Sequence, residues 1–361
     1  MENKNKIWLP PLAPRDKKWT KIYKKFQGQA RTDWMGFSGK TLWDWLSLLG
    51  VFLIPIVIAA ATIWFSAQQS EISSQTSERQ YQTDLQVAKD QQQENALQTY
   101  LGRISDLLLN SKLRESKSGD EVRIIARALT LITLSQLNGV RKGKIVRFLK
   151  DAGLIEIQNS NDPNLSHTYD IQGIATDSPV ISLTYADLSN ADLSKSNFNG
   201  AIMTHTNLSH TLLLDIDLSY AELGGANLFG ADLTRAELNG CHLNNTNLSL
   251  AGLTGANLFE ADLSNANLTN ADLEYADLTN TALNGANMTT ANMINVNLSA
   301  AGLHNTNLTG ANMIGANLEY ASLSSANLRY AFLKNAKVTM KQLIETKSLQ
   351  GAIMPNGTKH P

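Results

Sequence analysis

A five-residue period that runs from Leu183 to Leu333 constrains this chain more than any other feature. Every fifth residue in this stretch is Leu, Met or Phe, and the position two residues earlier holds a small or β-branched residue, usually Ala. The pattern continues for about 31 units without an insertion. A fixed period of this kind indicates a repeat architecture, in which each unit buries its apolar side chains only against its neighbours.

A period of five matches neither the 3.6 residues of a helical turn nor the two-residue alternation of a strand, but it fits a short strand followed by a turn. The small residue and the Leu lie two positions apart and point to one face, while the Asp or Asn between them points outward. The other two positions are often Gly, Asn, Ser or Thr, which favour turns. The pattern therefore predicts an apolar interior. Its representative core residues are Leu188, Leu193, Leu228, Leu258, Leu268 and Leu328.

Outward-facing asparagines recur in steps of twenty residues. If four units close one coil, these side chains stack one strand spacing apart, about 4.8 Å, where amides form hydrogen-bonded ladders. About 31 units would then make nearly eight coils, a rod of roughly 37 Å. The members of this asparagine ladder are Asn207, Asn227, Asn247, Asn267, Asn287, Asn307 and Asn327.

The repeat, seen plainly in ADLSNANLTNADLEYADLTN, resembles that of the pentapeptide-repeat proteins. The resemblance covers residues 181–336 and implies a mainly β fold, a right-handed quadrilateral parallel β-helix. The stretch EVRIIARALTLITLSQLNGVRKGKIVRFLKDAGLI is similar to a subgroup common in cyanobacteria. In that subgroup a membrane anchor and a helical segment precede the repeats.

Residues 45–70 contain no charged side chain. The apolar run 46–65 is about 20 residues long, enough for a helix to cross the hydrocarbon core at about 1.5 Å per residue. Tryptophans stand near both of its ends, as in membrane-spanning helices. We therefore expect an uncleaved single-span anchor at 45–67 that contacts the lipid bilayer. A buried core helix is the alternative, although nothing else in the chain predicts a core large enough to hide it.

The flanks of this segment predict its orientation. Residues 1–44 hold ten Lys or Arg against four acids, and we interpret them as a basic tail, either solvated or attracted to anionic head groups. Three Lys or Arg lie in the twenty residues before the span and one in the twenty after it. The positive-inside rule therefore favours a cytoplasmic N-terminus. The membrane would be a plasma or thylakoid membrane if the cyanobacterial resemblance holds.

Residues 68–157 are predicted to be helical. Apolar residues within 81–108 recur three or four positions apart, so two copies could associate through this face, or through the end of the rod. A second helix is expected at about 120–137, with Asn138-Gly139 ending it because both residues tolerate positive φ. Its predicted apolar face contains Val122, Ile125, Leu129, Ile132 and Leu137.

A third, basic helix is expected at about 142–152, followed by a hairpin at 154–157 and 167–171. Residues 120–171 are therefore consistent with a winged helix or with a helical bundle that caps the repeats. The cations around the third helix are Arg141, Lys142, Lys144, Arg147 and Lys150.

The C-terminal residues 339–361 are predicted to cap the rod. Thr339 and Gln342 have the spacing of a capping box, which opens a short helix. Such a cap is expected because an open β-helix end presents unpaired strand edges.

The sequence carries no GxxxxGK[ST], HExxH or GxSxG motif, and we expect a protein that is not an enzyme and binds no cofactor. Cys241 occupies a small inward position, so we expect a buried, inert thiol. His205 and His210 fall on different faces and are expected to be solvated. The weak metal candidate is a column of three side chains, for which uncoordinated surface neighbours are the alternative: Glu222, His242 and Asp262.

The charge of the chain bears on its partners. The net charge is −1 over 361 residues, which gives no support to a general nucleic-acid partner. Between Ala186 and Ala336 there are 13 acids and four Lys or Arg, so the repeat region is mildly acidic. Outward apolar residues near its C-terminal end form a candidate partner surface, with scattered surface apolarity as the alternative. They are Ile294, Ile314, Tyr320 and Tyr330.

These observations favour a membrane-anchored, non-enzymatic scaffold or assembly factor that binds an unidentified protein, such as a membrane complex. The alternative is a regulator that binds an enzyme or nucleic-acid machinery through acidic rod faces, as the DNA mimics of the family do, or through the basic helices. The predicted segments are a basic tail (1–44), a transmembrane helix (45–67), a helical region (68–157), a linker (158–180), the β-helix (181–338) and a C-terminal cap (339–361).

Overall fold

Helix α1 runs from Leu42 to Leu109 without a break, so the predicted anchor and the first part of the predicted helical region form one element. Pro55 lies inside it, which membrane helices tolerate better than soluble ones. By length and composition α1 is apolar enough to cross a membrane, with a mean hydropathy of 2.6 in its most apolar stretch. The apolar side chains there, such as Phe52 and Ile56, are exposed, as lipid-facing side chains would be.

The computed structural model describes residues 42–155 and 179–361. The chain divides into two units, Met1–Leu85 and Gln86–Pro361. Nearly all of the predicted basic tail, most of the predicted linker and the hairpin segment at 167–171 lie outside the described residues.

Two shorter helices follow in the second unit: α2 (Glu121–Gln136) and α3 (Gly139–Asp151). A 3₁₀ turn at Leu113–Glu115 precedes them. Tyr100 of α1 is buried against these helices, and its hydroxyl hydrogen-bonds the Thr130 hydroxyl at 2.9 Å. Burial raises the pKa of Tyr100 above its usual range.

The predicted self-association face of α1 is therefore largely used inside the chain. Leu97, Tyr100 and Ile104 are buried within the second unit, whereas Tyr81 and Leu85 remain exposed. The prediction of pairing through 81–108 is wrong for the C-terminal part of that range, because the apolar periodicity there serves an intramolecular contact.

The buried face of α2 consists of Ala126, Thr130, Thr133 and Leu134. Ile125 and Ile132, which belong to the predicted apolar face, are 47% and 58% exposed. Since α2 is apolar around most of its circumference, periodicity alone does not identify the side that faces the core.

Asn138 and Gly139 begin α3 and do not end α2 through positive φ angles. Asn138 has φ −74° and caps α3 through its side chain. A Cβ on Gly139 would lie 1.8 Å from the Asn190 carbonyl oxygen, and one on Gly143 would lie 2.7 Å from that of Asp192. These two glycines therefore allow the backbone of α3 to lie directly on the first coil of the repeats.

The repeat region is a parallel β-helix with twenty residues per coil. Parallel bridges join residue n to residue n + 20 from Asp187↔Asn207 to Asn317↔Lys337, as isolated bridges without longer strands in the described ranges. Every fifth residue from Tyr185 to Asn335 has positive φ. It is the third residue of a turn closed by a backbone hydrogen bond, such as Ala191 N–H to Leu188 O, which is the pattern of a type II turn.

The interior contains the two apolar positions of each unit. The predicted core leucines Leu188, Leu193, Leu228, Leu258, Leu268 and Leu328 are all fully buried. Threonine at the small position is also buried, and its hydroxyl bonds a carbonyl, as in Thr206 Oγ1 to Leu183 O at 3.0 Å. The interior is therefore apolar with its few polar groups satisfied.

The C-terminal end contains helix α4 (Met340–Ile344), which opens with the predicted Thr339–Gln342 capping box. Its Gln342 side chain donates to the carbonyls of Leu318 and Ala321, at 2.7 and 2.9 Å. The chain then returns to the β-helix with an offset of 21 residues, as in Asn327↔Ser348. The helix is therefore an insertion within a coil, not the last element of the rod.

Candidate interaction surfaces

Lys142 of α3 connects the helices to the first coil. Its Nζ lies 2.8 Å from Asp187 Oδ2 and 3.1 Å from Ser189 Oγ, and its side chain is 5% exposed. The other oxygen of Asp187 accepts a hydrogen bond from Asn207 Nδ2 at 3.1 Å. Asp187 stands at the foot of the asparagine column because its Oδ1 accepts from Asn207 and the Ser189 N–H while its second oxygen accepts from Lys142, whereas an Asn has only one acceptor oxygen.

The carboxyl of Asp187 is held in its charged form by these contacts. Burial raises its pKa, but the hydrogen bonds from Lys142 and Ser189 outweigh burial and hold the pKa below its usual range. The junction between α3 and the β-helix is therefore a charged hydrogen-bond network.

The asparagine column continues from Asp187 along one face of the β-helix. Each member donates from Nδ2 to the Oδ1 atom twenty residues earlier, with N–O distances of 3.0–3.5 Å. Each Oδ1 also accepts the backbone N–H two residues further on, such as that of Ser249 to Asn247 at 3.3 Å. The column thus joins the coils to one another, and its acceptors are occupied.

The basic helix α3 uses most of its charge inside the chain. Arg141 lies 2.9 Å from Asp90 and 3.1 Å from Glu94 of α1. Hydrogen bonding to Arg141 lowers the pKa of Asp90. Arg147 donates to the Asp192 carbonyl at 2.9 Å. With Lys142 also paired, three of the five predicted cations hold α3 in place, which weakens the hypothesis of a nucleic-acid site there.

Further contacts place the helices against the start of the repeats, as a cap. The Ile181 N–H bonds the Leu154 carbonyl at 2.7 Å, and Arg127 of α2 donates to the Thr184 carbonyl at 3.3 Å. A hairpin of the winged-helix kind would need 167–171, which lie outside the described residues.

The metal candidates Glu222, His242 and Asp262 are consecutive members of one bridged column. Within 42–155 and 179–361, no three His, Cys, Asp or Glu side chains are grouped to hold a metal ion. Cys241 is fully buried, its Sγ donates to the Ala221 carbonyl at 3.1 Å, and burial raises its pKa.

The two histidines of the second coil are exposed but not isolated. His205 stacks on Tyr185, with 5.0 Å between ring centroids, and His210 meets Phe229 edge-on at 5.3 Å. A Cβ on Gly225 would lie 2.5 Å from His205 Nδ1, so each ring lies over a glycine of the next coil. We did not predict these contacts. Their sequence signal is an aromatic or histidine side chain at one corner with a glycine twenty residues later, at the same corner of the next coil.

The predicted partner surface separates into two places. Ile294 and Ile314 are half-buried and belong to one column, in which Glu274 lies one coil before them and Lys334 one coil after. We call these four residues the isoleucine column. Beside it lie two exposed apolar side chains, Tyr330 and Phe332, at 50% and 46% exposure, and the Arg329 guanidinium lies 5.5 Å from the Tyr330 ring centre.

Tyr320 lies at a different corner, next to α4. It is 88% exposed, and Gln342 of α4 bonds the two carbonyls that flank its turn. Met340 and Ile344 occupy positions i and i+4 of α4 and are 67% and 75% exposed. We call Tyr320, Met340 and Ile344 the end patch. The sequence signal for α4 was its capping box, but nothing in the sequence showed that its apolar side chains face outward.

Comparisons with known proteins agree with the repeat. The family model described as pentapeptide repeats matches in eight copies, over 181–213, 211–249, 251–289, 291–329 and 301–339. No curated protein sequence matches the chain. The resemblance predicted from the residues is therefore confirmed at the level of the family.

Solved structures of cyanobacterial proteins are also similar. HetL, a pentapeptide repeat protein of Nostoc sp. strain PCC 7120 involved in heterocyst differentiation regulation, is 38% identical over 50% of this chain and 85% of HetL, with a TM-score of 0.30. Another pentapeptide repeat protein of Nostoc PCC 7120 is 34% identical, over 28% of this chain and 74% of its own, with a TM-score of 0.11. Rfr23 of Cyanothece 51142 is 25% identical, over 40% and 82%, with a TM-score of 0.14.

Proposed function

We propose that this chain, which belongs to the pentapeptide repeat family, is a membrane-anchored, non-enzymatic scaffold or assembly factor for a protein complex. Pentapeptide repeats imply a right-handed β-helix rod. We further propose that this rod has about 31 units, because positive-φ corners recur every five residues from Tyr185 to Asn335. Such a rod presents a long surface of nearly constant geometry, which suits it to hold another protein and not to enclose a substrate.

The end patch is the observation that carries this proposal. Its three side chains are among the most exposed apolar side chains of residues 179–361. Single exposed apolar residues elsewhere on the rod are ordinary for a protein surface. Lys337 and Lys341 flank it and are exposed. The surface therefore suits a partner protein that offers apolar side chains bordered by acidic ones.

The anchor is α1. A helix of this length and hydropathy supports insertion in a plasma or thylakoid membrane, and the positive flank supports a cytoplasmic N-terminus. Protease digestion of a C-terminal tag in sealed vesicles tests the orientation. Digestion from the cytoplasmic side would contradict it.

The runner-up is a regulator of an enzyme or of nucleic-acid machinery. The observation that favours it is a pair of adjacent columns rich in acids, among them Asp232, Asp272, Glu237 and Asp277. A cytoplasmic rod and binding that weakens with salt would favour the regulator, whereas a rod on the far side of the membrane would exclude nucleic-acid machinery as its partner.

The test of the leading function is capture of the tagged full-length chain from detergent-solubilised native membranes. We expect a stoichiometric set of membrane proteins with the wild type and its loss with the double variant Met340→Ser/Ile344→Ser. Leu250→Ser is the matched control, because Leu250 is also an exposed apolar residue, at 54%, but lies elsewhere on the rod. Equal recovery with all three proteins would contradict the end patch, and recovery of the chain alone would contradict the scaffold.

A further inference from the structure

The isoleucine column has a charge at each end and apolar side chains between. Its order along the rod is Glu274, Ile294, Ile314 and Lys334, one residue per coil. The adjoining bridged column runs in the same direction through Asp272, Asn292, Asn312 and Phe332. Successive members are about 4.8 Å apart, so the column spans roughly 15 Å.

We call these two adjoining columns the strip, and two further observations distinguish it from the rest of the rod. Neither Glu274 nor Lys334 forms an ion pair with any residue that the structure describes. The Oδ1 atoms of Asn292 and Asn312 are buried without a hydrogen-bond partner, again among the described residues. At the equivalent position Asp272 Oδ1 accepts the Glu274 N–H at 3.2 Å. These two oxygens are already buried within the chain, so they mark a local change in the hydrogen bonding of the column and not a contact that a second molecule would complete.

We propose that a second copy of this chain binds to this strip, face to face and with its rod antiparallel. A two-fold axis that lies across the strip, midway between the coils of Ile294 and Ile314, brings Ile294 opposite Ile314 of the second copy. The same axis brings Glu274 opposite Lys334 of the second copy, and Lys334 opposite its Glu274. The column is therefore complementary to itself in charge and in apolarity, as a two-fold interface requires.

The order of the charges selects the antiparallel arrangement. With parallel rods, acids would face acids, because Glu274 and Asp272 are at the same level of both copies. Like charges across an interface are unfavourable. With antiparallel rods, each end of the strip instead gains an ion pair between copies.

The strip is small for a stable dimer. About 15 Å by 10 Å falls well below the roughly 800 Å² per partner of a standard interface. Pairing should therefore be weak in dilute solution and depend on the raised local concentration of chains confined to a membrane. This inference does not require the end patch, which lies at another corner of the rod.

The test is a charge exchange in the full-length chain, reconstituted in lipid vesicles, with dimerisation measured by energy transfer between labelled copies. We expect Glu274→Lys and Lys334→Glu each to raise the apparent dissociation constant about tenfold. The double variant, which restores opposite charges across the axis, should recover wild-type pairing. The matched controls Glu260→Lys and Lys347→Glu change exposed charges outside the strip and should leave pairing unchanged.

Cysteine cross-linking tests the direction of the rods, with little background because the native Cys241 is buried. A mixture of Glu274→Cys and Lys334→Cys chains should form disulfides between the two variants. Lys334→Cys alone should form none, since the two copies of that residue would lie roughly 14 Å apart along the rod. Cross-linking of Lys334→Cys to itself, no recovery in the double variant, or monomers at every lipid density would each overturn the proposal.

Discussion

At the scale of single residues, the junction between Lys142 and Asp187 shows how one charge pair ends a neutral ladder. Each asparagine of the column donates its amide N–H to an acceptor in the preceding coil. An asparagine in the first coil would have no preceding coil to donate to. Asp187 supplies an acceptor for Asn207 and a second one for Lys142. The buried Lys142 ammonium donates to Asp187 and to Ser189 of the same coil.

Removing the lysine should therefore destabilise the second unit. We expect Lys142→Met to lower the free energy of unfolding by about 1–3 kcal/mol, because Asp187 and Ser189 lose their donor while Asp187 stays partly open to water. Lys144→Met is the matched control on the same helix, since Lys144 is exposed, and it should change stability by less than about 0.5 kcal/mol. Urea unfolding followed by circular dichroism measures both. Equal effects would argue against the junction.

The same carboxyl predicts a pH dependence. The pKa of Asp187 is lowered in the folded chain, so its contribution to stability is present above its unfolded pKa of about 3.9 and is lost as pH falls through the folded value. Below about pH 4 we expect the urea midpoint of the wild type to fall more steeply than that of Asp187→Asn. Parallel curves for the two proteins would show that Asp187 does not titrate with unfolding.

At the scale of elements, α3 is held on the first coil by backbone contact as well as by charge. Gly139 and Gly143 present no side chain to the carbonyls of Asn190 and Asp192, which a Cβ would overlap. Two glycines four residues apart lie on one side of a helix, so this side is flat enough for the contact.

Alanine substitutions separate this contact from helix propensity. Gly139→Ala should loosen α3 from the β-helix and lower the melting temperature, although Ala favours a helix by about 1 kcal/mol over Gly. Gly102→Ala in α1 is the matched control, because nothing lies within 4 Å of its Cβ, and it should be neutral or stabilising. Thermal unfolding distinguishes the two. A stabilised Gly139→Ala would contradict the docking of α3.

At the scale of the whole molecule, the repeats can only be stable as a stack. A buried Leu contributes about 1.5–3 kcal/mol, whereas ordering the five residues of a unit costs about 5–10 kcal/mol of backbone entropy. Each unit therefore depends on the coils beside it, and damage in the middle should spread.

Leu258→Asp should accordingly unfold the β-helix, because it places an unpaired carboxylate in the interior at a cost above about 4 kcal/mol. Leu250→Asp, at an exposed corner of the same region, should melt close to the wild type. Circular dichroism melts of both variants test the assignment. An unchanged melt for Leu258→Asp would contradict the inward position of this residue.

The sequence by itself determined the repeat, because the five-residue period states which side chains face inward and the step of twenty states which residues stack. It also determined the apolar span and the capping box at Thr339, since hydropathy and capping depend on neighbours along the chain. Only the tertiary structure decided that Ile125 and Ile132 face outward, that Asn138 caps α3, and that Tyr320 lies apart from Ile294 and Ile314. These outcomes depend on what lies across a contact, such as the first coil under Gly139 or the carbonyls that hold Gln342. A local pattern contains no information about a contact with a residue that is distant in the sequence and is not related to it by the repeat.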